Sequence, residues 1–246
     1  LKLVPKPRGV VAFQAVFPDV TAASTAVTEL LRSGQRPRAL ELMDEQVVEH
    51  LRLQARWALP KGRAALLLVE LDGDAEGLEA QLIAAAELCE AQGAKEIAVA
   101  TDEAKRRQLW EMRRQISTML GEMHRYRVGE DICVPRARIP EMLRRIDVLA
   151  AEHGFTVATY GHAGDGNLHV NIVYDDKADE VRLEPLIAEL FRQALDLEGT
   201  LSGEHGIGLT KKRFVPLEQS AESIALQREL KRCFDPQNLL NPGKLF

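Results

Sequence analysis

The stretch Tyr160-Gly161-His162-Ala163-Gly164-Asp165-Gly166-Asn167-Leu168-His169-Val170-Asn171 constrains the fold more than any other part of the chain. Asp-Gly between alternating residues is a strong signal for a tight antiparallel hairpin, because both residues tolerate the backbone that a two-residue turn requires. A turn centred on Asp165-Gly166 predicts Gly164 opposite Asn167, Ala163 opposite Leu168, His162 opposite His169 and Tyr160 opposite Asn171. Directly opposed side chains stand ~5 Å apart on one face, a spacing at which two imidazoles can converge on one metal ion. Ala163, Leu168, Val170 and Ile172 then form the other, apolar face. The local pattern predicts one buried side and one chemical side.

The flanking segments supply the rest of a sheet. Residues 9–17 read as a buried strand, Asp19 caps a helix running to about Ser33, and strands return at 38–43 and 64–71 around a short polar helix at 44–56. A helix from about Ala75 to Gln92 and a strand at 97–100 complete a β-α-β, β-α-β order. That order is the split pattern of a ferredoxin-like unit, an antiparallel sheet with helices on one side. A strand at 131–134, a helix from Pro140 to Gly154, strands at 155–162 and 168–174 and a helix to about Leu197 repeat it. The fold class expected is therefore α+β, with two β-α-β-β-α-β-like units. An inserted helix at about 102–120 separates the units, and a helix near 217–233 with a proline-punctuated tail follows them.

Composition narrows the function classes. The net charge of −5, with both signs interleaved, advertises no basic surface, so nucleic acid is not an expected partner. Cys89, Cys133 and Cys233 are odd in number and far apart, which suits a reducing compartment and predicts core or half-buried thiols. No apolar run reaches the ~20 residues of a membrane span, and no signal-peptide pattern opens the chain. A cytoplasmic location is expected, with a peripheral place at the inner face of a membrane left open. The chain begins at Leu1, and Leu3-Val4-Pro5-Lys6-Pro7 reads as a linker from something upstream.

Two histidines are at most half of a metal site, since catalytic zinc usually takes three protein ligands. The expected supplier of a third is Ser202-Gly203-Glu204-His205-Gly206-Ile207-Gly208, where glycines let the backbone approach closely. Two imidazoles and a carboxylate suit zinc, manganese or iron; hydrogen-bonded hairpin histidines with no metal are the plain alternative. On the inserted helix, Leu109, Arg113, Ile116 and Leu120 share a stripe, so a guanidinium interrupts an apolar face with Ser117 one turn on. Its partner is either a bound carboxylate or an acidic residue of the chain. Neither glycine-rich segment has the GxGxxG spacing, no P-loop precedes Gly243-Lys244, and no GxSxG elbow exists.

Three motifs taken together are specific: Gly161–His169, Ser202–Gly208 and Asp235-Pro236-Gln237-Asn238-Leu239-Leu240-Asn241-Pro242-Gly243-Lys244. With Glu130-Asp131-Ile132-Cys133-Val134-Pro135, they resemble the C-terminal substrate, or cap, domain of the FAD-linked oxidases. This is the glycolate oxidase D-subunit, D-lactate dehydrogenase and D-2-hydroxyglutarate dehydrogenase group of the vanillyl-alcohol oxidase superfamily. The resemblance implies that residues 9–246 form that domain, that residues 1–8 link it to an upstream FAD-binding domain or subunit, and that a small 2-hydroxy acid is the substrate. It implies His162, His169 and Glu204 as ligands of a divalent metal and His205 as the general base. It implies Arg113 as the grip on the substrate carboxylate, with Ser117 and Asn171 as further substrate contacts. Asn167, Gly206, Asn241 and Lys244 would lie near the flavin. The lysine that the hydroxyglutarate enzymes carry falls near Gly129 here, which leans toward a monocarboxylic acid such as glycolate or D-lactate. Two other classes stay open: a non-catalytic subunit of such a complex, and a flavin-independent metal hydrolase. The electron acceptor is not specified, and a homodimer remains possible.

Overall fold

The computed structural model describes residues 2–3, 5–53 and 59–245. The elements are β1 (Gly9–Phe17), α1 (Val20–Arg32), β2 (Ala39–Met43), α2 (Glu45–Leu53), β3 (Ala65–Gly73), α3 (Ala75–Ala91), β4 (Glu96–Val99) and α4 (Glu103–Met123). They continue as β5 (Tyr126–Cys133), α5 (Ile139–His153), β6 (Thr156–His162), β7 (Asn167–Tyr174), α6 (Glu180–Asp196), α7 (Val215–Glu218) and α8 (Ala221–Phe234). The end of the helix expected at 44–56, and Val4 of the expected linker, lie outside the described residues.

One seven-stranded antiparallel sheet runs in the order β4-β1-β3-β2-β6-β7-β5. The first four strands, in the order 4-1-3-2, are the expected split βαβ unit. The last three repeat its topology outward from the opposite side, with β6, β7 and β5 in the places of β2, β3 and β1. The eighth strand is reduced to a single bridge, Cys133 to Thr200. The halves meet at a seam where Glu41 pairs with His162, Leu42 with Gly161 and Met43 with Tyr160.

Helices cover both faces, not the one face expected. On one, α1, α3, α5 and α6 enclose the larger core, including Phe13, Phe17, Leu30, Leu67, Leu168 and Phe191. Each such fully buried side chain contributes ~1.5–3 kcal/mol. On the other, the apolar stripes of α2 and α4 bury Val47, Leu51, Met112 and Ile116 against Leu66, Leu68 and Tyr160. The inserted helix thus lies over the sheet, because its stripe needs a second apolar floor. Asp102 starts it by accepting from the Lys105 N–H at 2.8 Å.

Three further expectations change. The strand expected at 131–134 begins at Tyr126, and the terminal helix divides into α7 and α8, where Ser220 caps the second by accepting from Ser223 N–H. Cys89 is buried and Cys133 half-buried, but Cys233 is exposed on α8, which buries none of its residues.

Candidate active site

The hairpin forms with a different register from the one its turn predicts. Tyr160 faces His169, Gly161 faces Leu168, and His162 faces Asn167, leaving a four-residue turn at 163–166. Neighbouring strands take the backbone groups a tighter turn would have used. Ala163 N–H donates to Leu40 O at 2.8 Å, while Val134 N–H donates to Gly166 O at 3.1 Å. Gly166 holds a φ of +90°, and a Cβ there would stand 2.0 Å from Val134 O. The shift is two residues, so the side-chain faces survive it. His162 and His169 are diagonal neighbours, with ring centroids 5.2 Å apart and planes at 88°.

The glycine-rich loop brings the third member. His162 Nε2 lies 3.4 Å and His169 Nε2 3.5 Å from the same Glu204 carboxylate oxygen. One ligand atom from each of His162, His169 and Glu204 fits within 4.8 Å of the others, and so does one from each of Asp131, His169 and His205. The His205 ring stacks on His169, centroids 5.2 Å apart and planes within 10°. Arg113 reaches the same face from α4, its guanidinium 4.5 Å over the Tyr160 ring.

Two carboxylates that sequence reasoning passed over hold these groups. Glu41 on β2 accepts from His162 Nδ1 and from Arg113 Nε, both at 2.7 Å. Of the two partners left open for Arg113, the chain itself supplies one. Asp131 on β5 is fully buried, and its Oδ2 accepts the Glu204 and His205 backbone N–H groups, both at 2.8 Å. Lys211, also buried, donates to Asp131 O at 2.5 Å and Leu201 O at 2.7 Å, closing the base of the loop. Gly203 has no room for a side chain: a Cβ would stand 2.5 Å from Asn167 Oδ1 and 2.9 Å from Asp131 Oδ1. The signal for Glu41 was one acid within the apolar strand Ala39-Leu40-Glu41-Leu42-Met43.

Protonation follows from these contacts. The hydrogen bond to Glu41 holds His162 above the usual imidazole range. Burial, reinforced by the Arg113 and His162 charges, pushes His169 down to about 4, so it is neutral at pH 7. Burial alone would raise Asp131, but the His205 and Glu204 N–H groups and the Lys211 charge outweigh it and hold the carboxyl low.

The remaining predicted residues divide. Asn171 is buried beside the histidines, its amide donating to His169 O and Ala158 O. Asn167 is buried with an Oδ1 that has no hydrogen-bond partner among the described residues. Ser117 is held by a neighbouring strand, since Arg127 on β5 donates to its hydroxyl and its carbonyl, both at 2.8 Å. Gly206 sits in the His205 loop at φ +76°. Asn241 and Lys244 lie elsewhere, lining a cavity of about 470 Å³ between α8 and the tail with Arg228 and Arg232. The tail touches the histidine loop through Leu245 N–H to Gly208 O at 2.9 Å.

Known proteins are similar to this chain in sequence and in fold. The glycolate oxidase subunit GlcD of Bacillus subtilis is 34% identical over all of this chain and 53% of its own length. The D-lactate dehydrogenase of Archaeoglobus fulgidus is 36% identical, again over 100% of this chain and 53% of its own. The D-2-hydroxyglutarate dehydrogenase of Xanthomonas citri is 35% identical over 87% of this chain and 47% of its own. The chain therefore spans about half the length of the curated relatives it matches. Among solved structures, p-cresol methylhydroxylase with substrate bound has the same fold, with a TM-score of 0.72 at 16% identity over 98% of this chain and 53% of that one. The family described as FAD linked oxidases, C-terminal domain, matches residues 6–245, and on that match the chain belongs to it.

Proposed function

We propose that this chain is the substrate-binding and proton-accepting half of a flavin-dependent oxidoreductase that converts a small D-2-hydroxy acid, glycolate- or D-lactate-like, to its 2-oxo acid. The observation that carries the reading is the convergence of His162, His169 and Glu204 within 4.8 Å, with His205 stacked against them and Arg113 on the same face. Residues 9–246 form this half, and residues 1–8 lead from the half that holds the flavin.

The donor set fits a divalent metal. It offers two imidazole nitrogens and a carboxylate, with His162 oriented from behind by Glu41 as metal-binding histidines commonly are. Zinc, manganese or iron bound by His162, His169 and Glu204 supplies a Lewis acid for the substrate hydroxyl. The fit to a flavin rests on Asn167, whose buried Oδ1 lacks a partner among the described residues, and on Gly206 beside the exposed His205. Asn241 and Lys244 line a different cavity, so their part in holding it is less direct. The flavin supplies the hydride acceptor.

The chain's own residues do the remaining work. Arg113 presents a guanidinium, the group best matched to a carboxylate, and Tyr160 beneath it fixes its plane. Asn171 lines the same floor. His205 accepts the hydroxyl proton on a ring nitrogen, held in place because Asp131 fixes its backbone N–H. The lysine that the resembled hydroxyglutarate enzymes carry falls near Gly129, whose Cβ position is 3.3 Å from Asn171 Oδ1, which supports a substrate with one carboxylate.

The test is turnover by the complete protein with an artificial electron acceptor, before and after chelation. Oxidation of glycolate or D-lactate that is lost on metal removal and regained on its return is expected. Full activity in the stripped protein would remove the metal from the reading, and no activity on any 2-hydroxy acid would sink the substrate class.

A further inference from the structure

Glu41 is 4% exposed and lies at the seam between the two halves of the sheet, directly paired with His162 across β2 and β6. Its two oxygens are divided: Oε1 takes the His162 Nδ1 proton and Oε2 takes the Arg113 Nε proton, each at 2.7 Å. We propose that Glu41 is a positioning residue that sets the metal-binding tautomer of His162 and the orientation of Arg113 together, coupling metal binding to carboxylate recognition. The inference rests on the function proposed above for this site.

The two contacts have separate chemical consequences. A His162 whose Nδ1 donates to a carboxylate keeps its lone pair on Nε2, the atom that faces Glu204. His169 has no comparable restraint, since its Nδ1 is 3.7 Å from Asp131 Oδ1 and makes no hydrogen bond among the described residues. Arg113 is held through Nε and through its face on Tyr160, and no hydrogen bond from the described residues engages its terminal nitrogens. Those are the nitrogens that grip a carboxylate in a fork. The Glu41 charge also offsets the guanidinium, which would otherwise repel a cation held by the histidines beside it.

A plain stabilising ion pair would not need partners that both belong to the site. Docking of α4 already has one in Glu70 on β3, which takes Arg106 at 2.8 Å and Trp110 Nε1 at 2.7 Å.

The experiment uses the complete, metal-stripped protein with Glu41→Gln, Glu41→Ala and, as a control, Glu70→Gln. Zinc or manganese affinity is measured by calorimetry, KM and kcat on the 2-hydroxy acid are measured with saturating metal, and His162 ring nitrogen shifts are read by NMR at alkaline pH without metal. Glu41→Gln is expected to weaken metal binding about 10- to 100-fold, to raise KM more than it lowers kcat, and to release His162 from a single Nδ1–H tautomer. Glu70→Gln should move none of the three. Unchanged metal affinity and tautomer in Glu41→Gln would overturn the proposal. So would an Nε2–H tautomer in the unmutated protein, a measurement that needs no variant to fold. A stripped wild type that takes up no metal would overturn the metal reading instead, and the tautomer would still decide the positioning role.

Discussion

Two buried carboxylates dock the same helix onto the same face of the sheet, and they do different things. Glu70 takes Arg106 and Trp110 from α4, with Arg38 Nε 3.4 Å away. Glu41 takes Arg113 from α4 and then His162 from the other half of the sheet. The Glu70 cluster is closed: Arg106 and Trp110 attach the helix, and Arg38 ties in the segment just before β2. The Glu41 cluster is open, because each donor it engages keeps other nitrogens that face the site. Buried ion pairs look alike in a contact map, and what separates a structural one from a functional one is the unused valence of the partners.

The comparison breaks first on the histidine side. His162→Ala in the complete protein should remove bound metal and reduce turnover to background, as metal analysis and a dye-coupled assay will show; a variant that keeps both would make the Glu41 cluster as structural as that of Glu70. His205→Asn should retain the metal and lower kcat about 100- to 10,000-fold, the usual range for losing a general base. Gly203→Ala puts a methyl group against Asn167 and Asp131 and displaces the Glu204-His205 loop. A kcat/KM loss of up to about 100-fold is expected, from misplacement alone, with the far-ultraviolet circular dichroism unchanged.

On the structural side the expected effects are smaller and of another kind. Glu70→Gln should cost about 1–3 kcal/mol in urea unfolding, because the Arg106 and Trp110 donors lose a charged acceptor, and should leave metal affinity alone. A third carboxylate cluster, at Asp235, extends the comparison to the C-terminal tail. Its carboxylate takes Lys231 and the Leu239 and Leu240 N–H groups, which hold its pKa down to about 2 against an ordinary 3.8. A depressed acid contributes stability above its unfolded pKa and loses it as pH falls through the folded one. The tail should therefore loosen between about pH 4 and pH 2, seen as falling amide protection at Leu239 and Leu240, with the sheet amides unaffected.

Much of the architecture was legible before any coordinates. Alternation in 160–171 named the buried face as Ala163, Leu168, Val170 and Ile172, and all four lie in the larger core. The element order exposed both βαββα units, and the glycine-rich segment with Glu204 and His205 was singled out as the partner of the hairpin. These signals are local, carried by a two-residue period and by turn residues that act over a few positions.

What needed the tertiary structure is whatever depends on residues far apart in the chain. The hairpin register moved by two because β2 and the segment after β5 claimed the backbone groups of Ala163 and Gly166, and a shift of two leaves the period-two pattern unchanged, so alternation could not detect it. Glu41 and His162 became partners only because strand order places β2 beside β6. Ser117 went to Arg127, and the Asp131 carboxylate to the Glu204-His205 loop, for the same reason. Side-chain periodicity determines which face a residue joins; the strand order and register of the folded sheet decide whom it meets there.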